Sequence, residues 1–412
     1  MDLVPIKSTI QETPHFTLRR AVERLREGIF DPFAIRLLTA REDKLVQAFH
    51  RGLSSPEEPL SPHLCICGDY GQGKSHSLAY LRQKALADGF VTSMINLDPR
   101  EIPFHDFRRI YQELLARIRF PDQAGDLYSR WKSWSDDFAG QKKNTGKTIA
   151  AILPDDMPHY FRAVLTAAAQ RTVSLSDRKR TLKKHRGYRP REFPWLLKQA
   201  LVGHMVPVSR LRQVCQYRNV DFYREAPLKC SGPHDYLTQI VCMAELFKRM
   251  GYKGWVVLFD EGESIAQTRI TSRSKSYALL HRFFQNRLKA GGLYPVFAFT
   301  PDFFFQVQSE DYDRMRSTRQ GELPCFQRNY AREWQGLTMH QLHDLSSREW
   351  QALIQKLFLL HTSVYEWQPL NGQVYGEMES ILQQNAHQET RLKMQSLVNH
   401  LDVIHQEQIL GL

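Results

Sequence analysis

Short apolar runs and longer amphipathic stretches alternate along the 412-residue chain. Runs of β-branched, aromatic and other apolar residues predict buried strands, and apolar residues spaced three or four apart predict helices. The predicted strands lie at 65–67, 91–97, 255–260, 294–300 and 333–339. The predicted helices cover 15–28, 35–53, 76–85, 104–118, 159–172, 195–203, 208–217, 234–250, 275–288, 347–361 and 389–404. Within 35–53, Thr39 is a candidate N-cap with Glu42 three residues later, a capping box that would open a helix. This alternation predicts an α/β fold with a parallel sheet and helices on both faces.

The spacing of the predicted strands is interrupted once. About 110 residues, broken by prolines, separate the helix at 104–118 from the next core elements, and their pattern is largely helical. The chain is therefore divided into an N-terminal helical segment, a first part of the core, an insertion, a second part of the core and a C-terminal helical lid. These five parts cover residues 1–55, 56–120, 121–232, 233–339 and 340–412.

Charge is concentrated in the insertion. The whole chain carries a formal net charge of +12, and residues 121–232 hold 21 basic against 10 acidic side chains. A localised basic excess is typical of phosphate-backbone binding, which makes double- or single-stranded DNA an expected partner. The alternative is a solvated loop that only adds solubility. The candidate DNA contacts are Arg178, Lys179, Arg180, Lys183, Lys184 and Arg186.

Aromatic residues accompany these charges, as a base-stacking surface requires. Aromatics at helical spacing more often pack in a core, however, and core packing is the favoured interpretation. The residues concerned are Tyr128, Trp131, Trp134, Tyr160, Phe161, Tyr188, Phe193 and Trp195. Six scattered cysteines argue against a disulfide framework, and Cys65 and Cys67 are predicted to pack in the core and not to bind zinc. No membrane span and no secretory signal are recognised, so a cytoplasmic location is expected.

The segment 65–75, CICGDYGQGKS, carries the clearest chemistry. Gly68, Gly73, Lys74 and Ser75 have the spacing of a P-loop, in which backbone N–H groups surround phosphates, the lysine reaches the β and γ phosphates, and the hydroxyl ligates Mg²⁺. The helix predicted after it would bring a positive N-terminus to the phosphates. The nucleotide-contacting residues are predicted to be Gly68, Tyr70, Gly71, Gly73, Lys74, Ser75 and His76.

A second candidate feature consists of acidic residues at and after the end of the strand at 255–260. Asp260 at the strand end is predicted to hold the Mg²⁺ water shell, and Glu261 to orient and deprotonate the attacking water. Glu263 is a further acid without an assigned role. Thr300, after the next strand, is a candidate sensor of the γ-phosphate, the alternative being a simple capping threonine. Arg391, at the start of the last helix, could reach the phosphates or could be a surface arginine.

With these motifs in hand, the chain resembles AAA+ ATPases of the origin-recognition type, within the additional-strand class of P-loop proteins, and, more closely, the ATP-binding protein family of bacterial BREX phage-exclusion systems. The resembling pieces are RRAVERLREG (19–28), CGDYGQGKS (67–75), INLDPREIPFHDFRRIY (95–111), GYKGWVVLFDEGESI (251–265), FTPDFF (299–304) and ETRLKMQSLVNHLD (389–402). The resemblance implies ATP as ligand, ATP hydrolysis, and a place in a multi-component antiviral complex acting on DNA.

Three functions remain open from the sequence. The first is a Mg²⁺-dependent ATPase that drives assembly or remodelling of a DNA-associated complex, together with other proteins of the complex and as a homo- or hetero-oligomer. The second is a nucleotide-gated DNA-binding or scaffold module with little turnover. The third, a phosphotransferase, is disfavoured because no acceptor-binding motif is recognised. An arginine finger for a neighbouring subunit is expected among Arg314, Arg316, Arg319, Arg328 and Arg332.

Overall fold

A computed structural model describes most of the chain. The described residues are 4–29, 31–54, 61–122, 125–140, 148–170, 190–220, 222–230, 232–285, 291–320, 324–369 and 373–411. No helix in these ranges is long and apolar enough to cross a lipid bilayer.

Five parallel strands of the described chain form one sheet at the centre of the molecule. They are β1 (Leu64–Cys67), β2 (Val91–Asn96), β3 (Trp255–Asp260), β4 (Leu293–Phe299) and β5 (Met339–Gln341). Their order across the sheet is β2-β3-β4-β1-β5. Since parallel neighbours need crossover connections, each strand is followed by helical structure before the next. The predicted α/β fold with a parallel sheet is confirmed.

The helices of the described residues are numbered here from the N-terminus onwards, and one-turn 3₁₀ segments are left unnumbered. They are α1 (Val4–Gln11), α2 (His15–Arg26), α3 (Pro32–Leu38), α4 (Glu42–Leu53), α5 (Lys74–Ala87), α6 (Phe107–Ala116), α7 (Leu127–Gly140), α8 (His159–Ala169), α9 (Phe193–Leu201), α10 (Val208–Tyr217), α11 (Pro233–Arg249), α12 (Ile270–Phe284), α13 (Pro301–Arg319), α14 (Tyr330–Glu333), α15 (Ser347–Tyr365), α16 (Val374–Gln384) and α17 (Thr390–Leu410).

The two faces of the sheet bury alternate residues of each strand, as a period of two requires. Val256 and Leu258 of β3 pack in a cluster with residues of α4 and α5 on one face. Val257 and Phe259 point to the other face, where they join a larger cluster that includes residues of α6, α11 and α12. Because both faces are covered, the strands consist of nearly continuous apolar residues.

The helices between β2 and β3 extend this larger cluster. Trp131, Phe161 and Phe193 are buried in the same cluster as Phe259 of the sheet, and the Trp131 indole N–H donates to the backbone oxygen of Leu165 at 2.8 Å. Core packing is thus confirmed for most of the aromatics named above that the structure describes. Trp195 differs, since 62% of its surface is exposed, and Tyr188 lies outside the described residues.

The N-terminal and C-terminal helices share a separate hydrophobic cluster. Residues of α2 and α3 pack there against residues of α15 and α17. Arg26 at the end of α2 donates two hydrogen bonds, of 2.7 and 2.8 Å, to the carboxylate of Asp402 on α17. Asp402 is also 3.0 Å from Nε2 of the buried His361 on α15. The two ends of the chain therefore form one helical unit beside the sheet.

Two predicted local features are wrong. Thr39 does not open a helix with Glu42 in a capping box: α3 ends before Thr39, whose hydroxyl donates back to the Ile35 oxygen, and α4 begins after Arg41, which has a left-handed backbone with φ of +54°. The fifth strand is also misplaced. Residues 330–333 are helical, and the strand covers only Met339–Gln341.

Candidate functional site: a cavity at the carboxyl edge of the sheet

The P-loop connects β1 to α5 through a tight turn. Gly71 and Gly73 have φ of +79° and +92°, which only glycine adopts at low cost. The N–H of Gly68 donates to the Phe299 oxygen at 3.1 Å, which ties the start of the turn to the end of β4. Since the first N–H groups of a helix lack partners within it, the start of α5 presents donors to a ligand where the turn closes.

Lys74 is buried at the centre of this turn, with 7% of its surface exposed. Its ammonium donates to the backbone oxygens of Gly68 and Asp69, at 3.0 and 3.2 Å. The Tyr70 ring lies over the ammonium, with 4.8 Å between Nζ and the ring centroid. An ammonium has three protons, so the turn holds Lys74 in a fixed position and leaves one donor for a ligand.

The carboxylates after β3 stand beside the P-loop. Asp260 is buried, and its Oδ1 accepts a hydrogen bond of 3.0 Å from the Glu261 N–H. Glu261 has a left-handed backbone with φ of +57°, a conformation that is costly for a residue with a side chain and is concentrated at functional sites. Burial and the neighbouring Asp260 raise the pKa of Glu261, and Lys74 partly opposes them. A raised pKa suits a carboxylate that accepts a proton.

A cavity of about 640 Å³ opens above the P-loop, within the size range of small-molecule sites. Its walls come from the P-loop, from the segment around α3, from the chain after β5 and from the start of α17. Eight of the predicted site residues line it, namely Tyr70, Gly71, Gly73, Lys74, Ser75, His76, Glu261 and Arg391. Gly68, Asp260 and Thr300 are not part of the lining; they lie at the carboxyl ends of β1, β3 and β4.

Thr300 lies between the last residue of β4 and the first of α13. It is buried, and its side chain makes no capping hydrogen bond to the helix it precedes. The adjacent residue Phe299 accepts the Gly68 hydrogen bond described above. Thr300 is therefore next to the P-loop at the edge of the sheet, without a capping role.

The start of the last helix, α17, forms part of the cavity wall. Arg391 lies against the backbone of Gly28 at the end of α2, where a β-carbon would be 2.7 Å from its Nε. Gln395, one turn later, donates to the Arg26 oxygen at 3.2 Å. The two contacts place the predicted Arg391 on the cavity wall, pressed against the N-terminal helix.

His76 adjoins the P-loop turn and is uncharged. Burial lowers its pKa to about 4. Its Nε2 lies 2.9 Å from the Thr39 hydroxyl, which already donates to the Ile35 oxygen. Because that hydroxyl has one proton, His76 carries its proton on Nε2 and donates to Thr39. The contact joins the start of α5 to the end of α3.

Two features of the site were not predicted from the sequence. Arg41 lines the cavity and pairs through two nitrogens with Glu349 on α15, while also donating to the backbone oxygens of His343 and Asp344. No local signal could reveal a pair whose members are 308 positions apart. Glu263 is buried beside Lys74, with 3.7 Å between its Oε1 and Nζ. The DEGES motif was a signal for Glu263, but the role of this acid was not predictable from sequence alone.

The residues present fit a magnesium–nucleotide ligand. Mg²⁺ prefers oxygen ligands and keeps several waters, so a hydroxyl and a carboxylate from the protein are sufficient. Ser75 and Asp260 provide these two groups at the P-loop edge of the sheet. Within the described ranges, no group of three or more His, Cys, Asp or Glu side chains is arranged to hold a metal by itself. The remaining ligands would be water and phosphate oxygens.

The predicted DNA contacts lie outside the described residues. Arg178, Lys179, Arg180, Lys183, Lys184 and Arg186 fall between α8 and α9, in the range 171–189. Trp195, on the described helix α9, is the exposed aromatic nearest to that range in sequence.

Comparison with known proteins identifies a family. The sequence model of one protein family, the BREX system ATP-binding protein BrxC/D family, matches residues 17–134 and 230–410, which is more than half of the chain. These ranges contain the P-loop, the carboxylates after β3 and the last helix, and they exclude 135–229, which includes most of the helical insertion. No curated protein and no solved structure matches the chain. The chain belongs to the BREX system ATP-binding protein BrxC/D family.

Proposed function

We propose that the protein binds ATP with Mg²⁺ in the cavity above the P-loop, hydrolyses it, and uses the cycle to drive assembly or remodelling of a DNA-associated complex in defence against phages. The observation that supports this most directly is that Lys74, Ser75, Glu261 and Arg391, from three distant parts of the sequence, line one cavity. The description of the family as ATP-binding indicates that the nucleotide is ATP.

The chain's own groups divide the chemistry between them. The third proton of Lys74 is available to the β and γ phosphates, and Arg391 faces the same space from the last helix. Ser75 and Asp260 would hold Mg²⁺, which when bound neutralises charge on the phosphate oxygens. Glu261 would orient the attacking water and accept its proton, a role that its raised pKa favours. Thr300 is proposed to contact the γ-phosphate or that water.

The sheet order supports assignment to the AAA+ group within P-loop proteins. In the order β2-β3-β4-β1-β5, strand β4 separates the P-loop strand from the strand with the carboxylates. This is the arrangement that the predicted additional-strand class implies. The unit formed by α15, α16 and α17 is proposed to act as a lid, because residues 389–391 line the cavity.

A nucleotide-gated scaffold with little turnover is the second candidate. The observation that favours it is the close packing of Glu389, before α17, against Gly71 of the P-loop. A ligand that shifts the P-loop would act on the C-terminal helices whether or not it is hydrolysed. DNA binding through the insertion is part of both candidates and rests on the concentration of basic residues there.

An ATPase assay with Mg²⁺ distinguishes the two candidates. Turnover is measured without DNA and with single- or double-stranded DNA, beside the oligomeric state from light scattering in ATP and in ADP. Turnover that DNA increases is the expected result. Nucleotide-dependent assembly without turnover would favour the scaffold, and the absence of both turnover and nucleotide-dependent assembly would contradict both candidates.

A further inference from the structure

Glu263 is a buried carboxylate that faces the P-loop lysine. It lies in the 3₁₀ turn Gly262–Ile265 after β3, with 5% of its surface exposed. Its Oε1 is 3.7 Å from the Lys74 ammonium, beyond hydrogen-bond distance. Neither carboxylate oxygen accepts a hydrogen bond from another described residue. The side chain is thus a buried carboxyl group held near a cation without hydrogen bonds from other described residues.

Other buried carboxylates in the described part of the chain are better satisfied. Asp31 accepts hydrogen bonds from the Phe33 and Ala34 N–H groups and from Arg20. Glu310 accepts hydrogen bonds from Arg273 and Gln306 through one oxygen. Burying a carboxylate without such partners is costly, and a cost of this kind is often retained at functional sites.

The position of Glu263 relative to Lys74 indicates what this group does. Two of the three ammonium protons are bound to the Gly68 and Asp69 oxygens. The third ammonium proton is the one available to phosphate oxygens. The Glu263 carboxylate already lies close to the same ammonium, where its negative charge offsets the positive charge of Lys74. Since a buried ammonium between two anions interacts with both, Glu263 and the phosphates compete for Lys74.

We propose that Glu263 is a positioning residue that partly neutralises Lys74 and so weakens the binding of nucleotide phosphates, which allows the product to leave the cavity. The inference rests on the proposed nucleotide-binding function. Glu263 does not take part in the reaction itself and acts only through Lys74. Its effect is limited to ligands with β or γ phosphates, because these are the groups that a P-loop lysine contacts.

The effect of removing this charge has a definite sign. Without Glu263 the Lys74 charge is opposed only by the ligand, so Glu263→Gln binds Mg-ATP and Mg-ADP more tightly, by about tenfold, the usual scale of such coupling. Dissociation of ADP slows by a similar factor. Adenosine, which lacks phosphates, binds wild type and variant equally. A residue that served only the fold would change all three affinities together or none.

The test is titration calorimetry of the full chain with Mg-ATP, Mg-ADP and adenosine, for wild type, Glu263→Gln and Glu263→Leu. Glu310→Gln is the control, since it removes a buried carboxylate whose partner is Arg273. We expect this variant to leave nucleotide affinity unchanged. Glu263→Leu has a similar volume and serves as a second variant if the amide prevents folding. Tighter ATP and ADP binding with unchanged adenosine binding supports the proposal.

Two failures are distinguishable. If wild type binds ATP and both Glu263 variants bind it equally well or more weakly, the proposed role of Glu263 is wrong and the proposed function stands. If wild type binds no ATP, the proposed function is wrong, and this inference with it.

Discussion

Glu389 packs so closely on Gly71 that a β-carbon added to Gly71 would lie 2.6 Å from Glu389 Cγ and 3.2 Å from its Cα. Gly71 belongs to the P-loop, and Glu389 is the residue before the last helix, α17. The contact links the proposed phosphate site directly to the unit formed by α15, α16 and α17. A shift of the P-loop on nucleotide binding would therefore act on that unit directly, without an intermediate element.

We expect Gly71→Ala to weaken ATP binding and to loosen the C-terminal helices. The new methyl group would meet Glu389, and the φ of +79° is unfavourable for alanine, so the substitution costs about 1–3 kcal/mol. Hydrogen exchange in residues 390–410 and calorimetric ATP titration measure the two effects. Gly376→Ala is the control, because nothing lies within 4 Å of its added carbon. Equal behaviour of the two variants would show that the contact is unimportant.

The pair of Arg41 and Glu349 predicts a pH dependence. The Arg41 guanidinium lowers the pKa of Glu349 from 4.5 to about 2. A carboxylate with a lowered pKa stabilises the fold above its unfolded-state pKa and loses that contribution as the pH falls through the folded-state value. The stabilisation is therefore complete above pH 4.5 and disappears towards pH 2.

Glu349→Gln tests this assignment. At pH 7 we expect the variant to lose about 1–2 kcal/mol of unfolding free energy, because the pair is partly exposed and screened by solvent. The difference between wild type and variant should shrink as the pH is lowered below 4.5. Urea unfolding at a series of pH values gives both curves. A difference that is independent of pH would contradict the assignment to this ion pair.

The basic segment predicts a salt dependence. Replacing Arg178, Lys179, Arg180, Lys183, Lys184 and Arg186 by glutamine should weaken DNA binding and flatten its dependence on salt. On duplex DNA the logarithmic slope should change by about 0.9 for each phosphate that the segment no longer neutralises. Arg19→Gln with Arg24→Gln removes charge from exposed positions of α2 and should leave the slope unchanged. Fluorescence anisotropy over a salt series provides the measurement. Unchanged affinity and slope in the sixfold variant would mean that the segment is a solvated loop.

The parts of the site that follow strongly apolar strands were predictable from the sequence. The strands β1 and β3 are buried on both faces of the sheet, so their apolar residues form continuous runs. The polar residues that follow these runs mark the carboxyl edge of the sheet. The short strand Met339–Gln341 lacks this signal, because its residues are only partly buried or exposed at the edge of the sheet. The prediction therefore placed a strand over residues that include the end of a helix.

The remaining features depend on contacts that no local pattern encodes. Thr39 and Glu42 have the spacing of a capping box, yet the Thr39 hydroxyl is used by Ile35 and His76, and Arg41 turns the chain between the two helices. The pairing of Arg41 with Glu349 arises from tertiary packing between the N-terminal and C-terminal helices. The sequence predicted the cavity residues of the P-loop together with Glu261 and Arg391, but not the part of the wall that Arg41 and Glu349 form.

Glu261→Gln tests the central claim, that the P-loop and the carboxylates after β3 form one hydrolytic site. ATP binding and Mg²⁺-dependent phosphate release are measured for wild type and variant, with and without DNA, at saturating ATP. The amide keeps the shape of Glu261 but cannot accept the proton of the attacking water, so we expect ATP affinity to be retained and turnover to fall by at least about 100-fold. Turnover that persists at the wild-type rate in Glu261→Gln would contradict this claim.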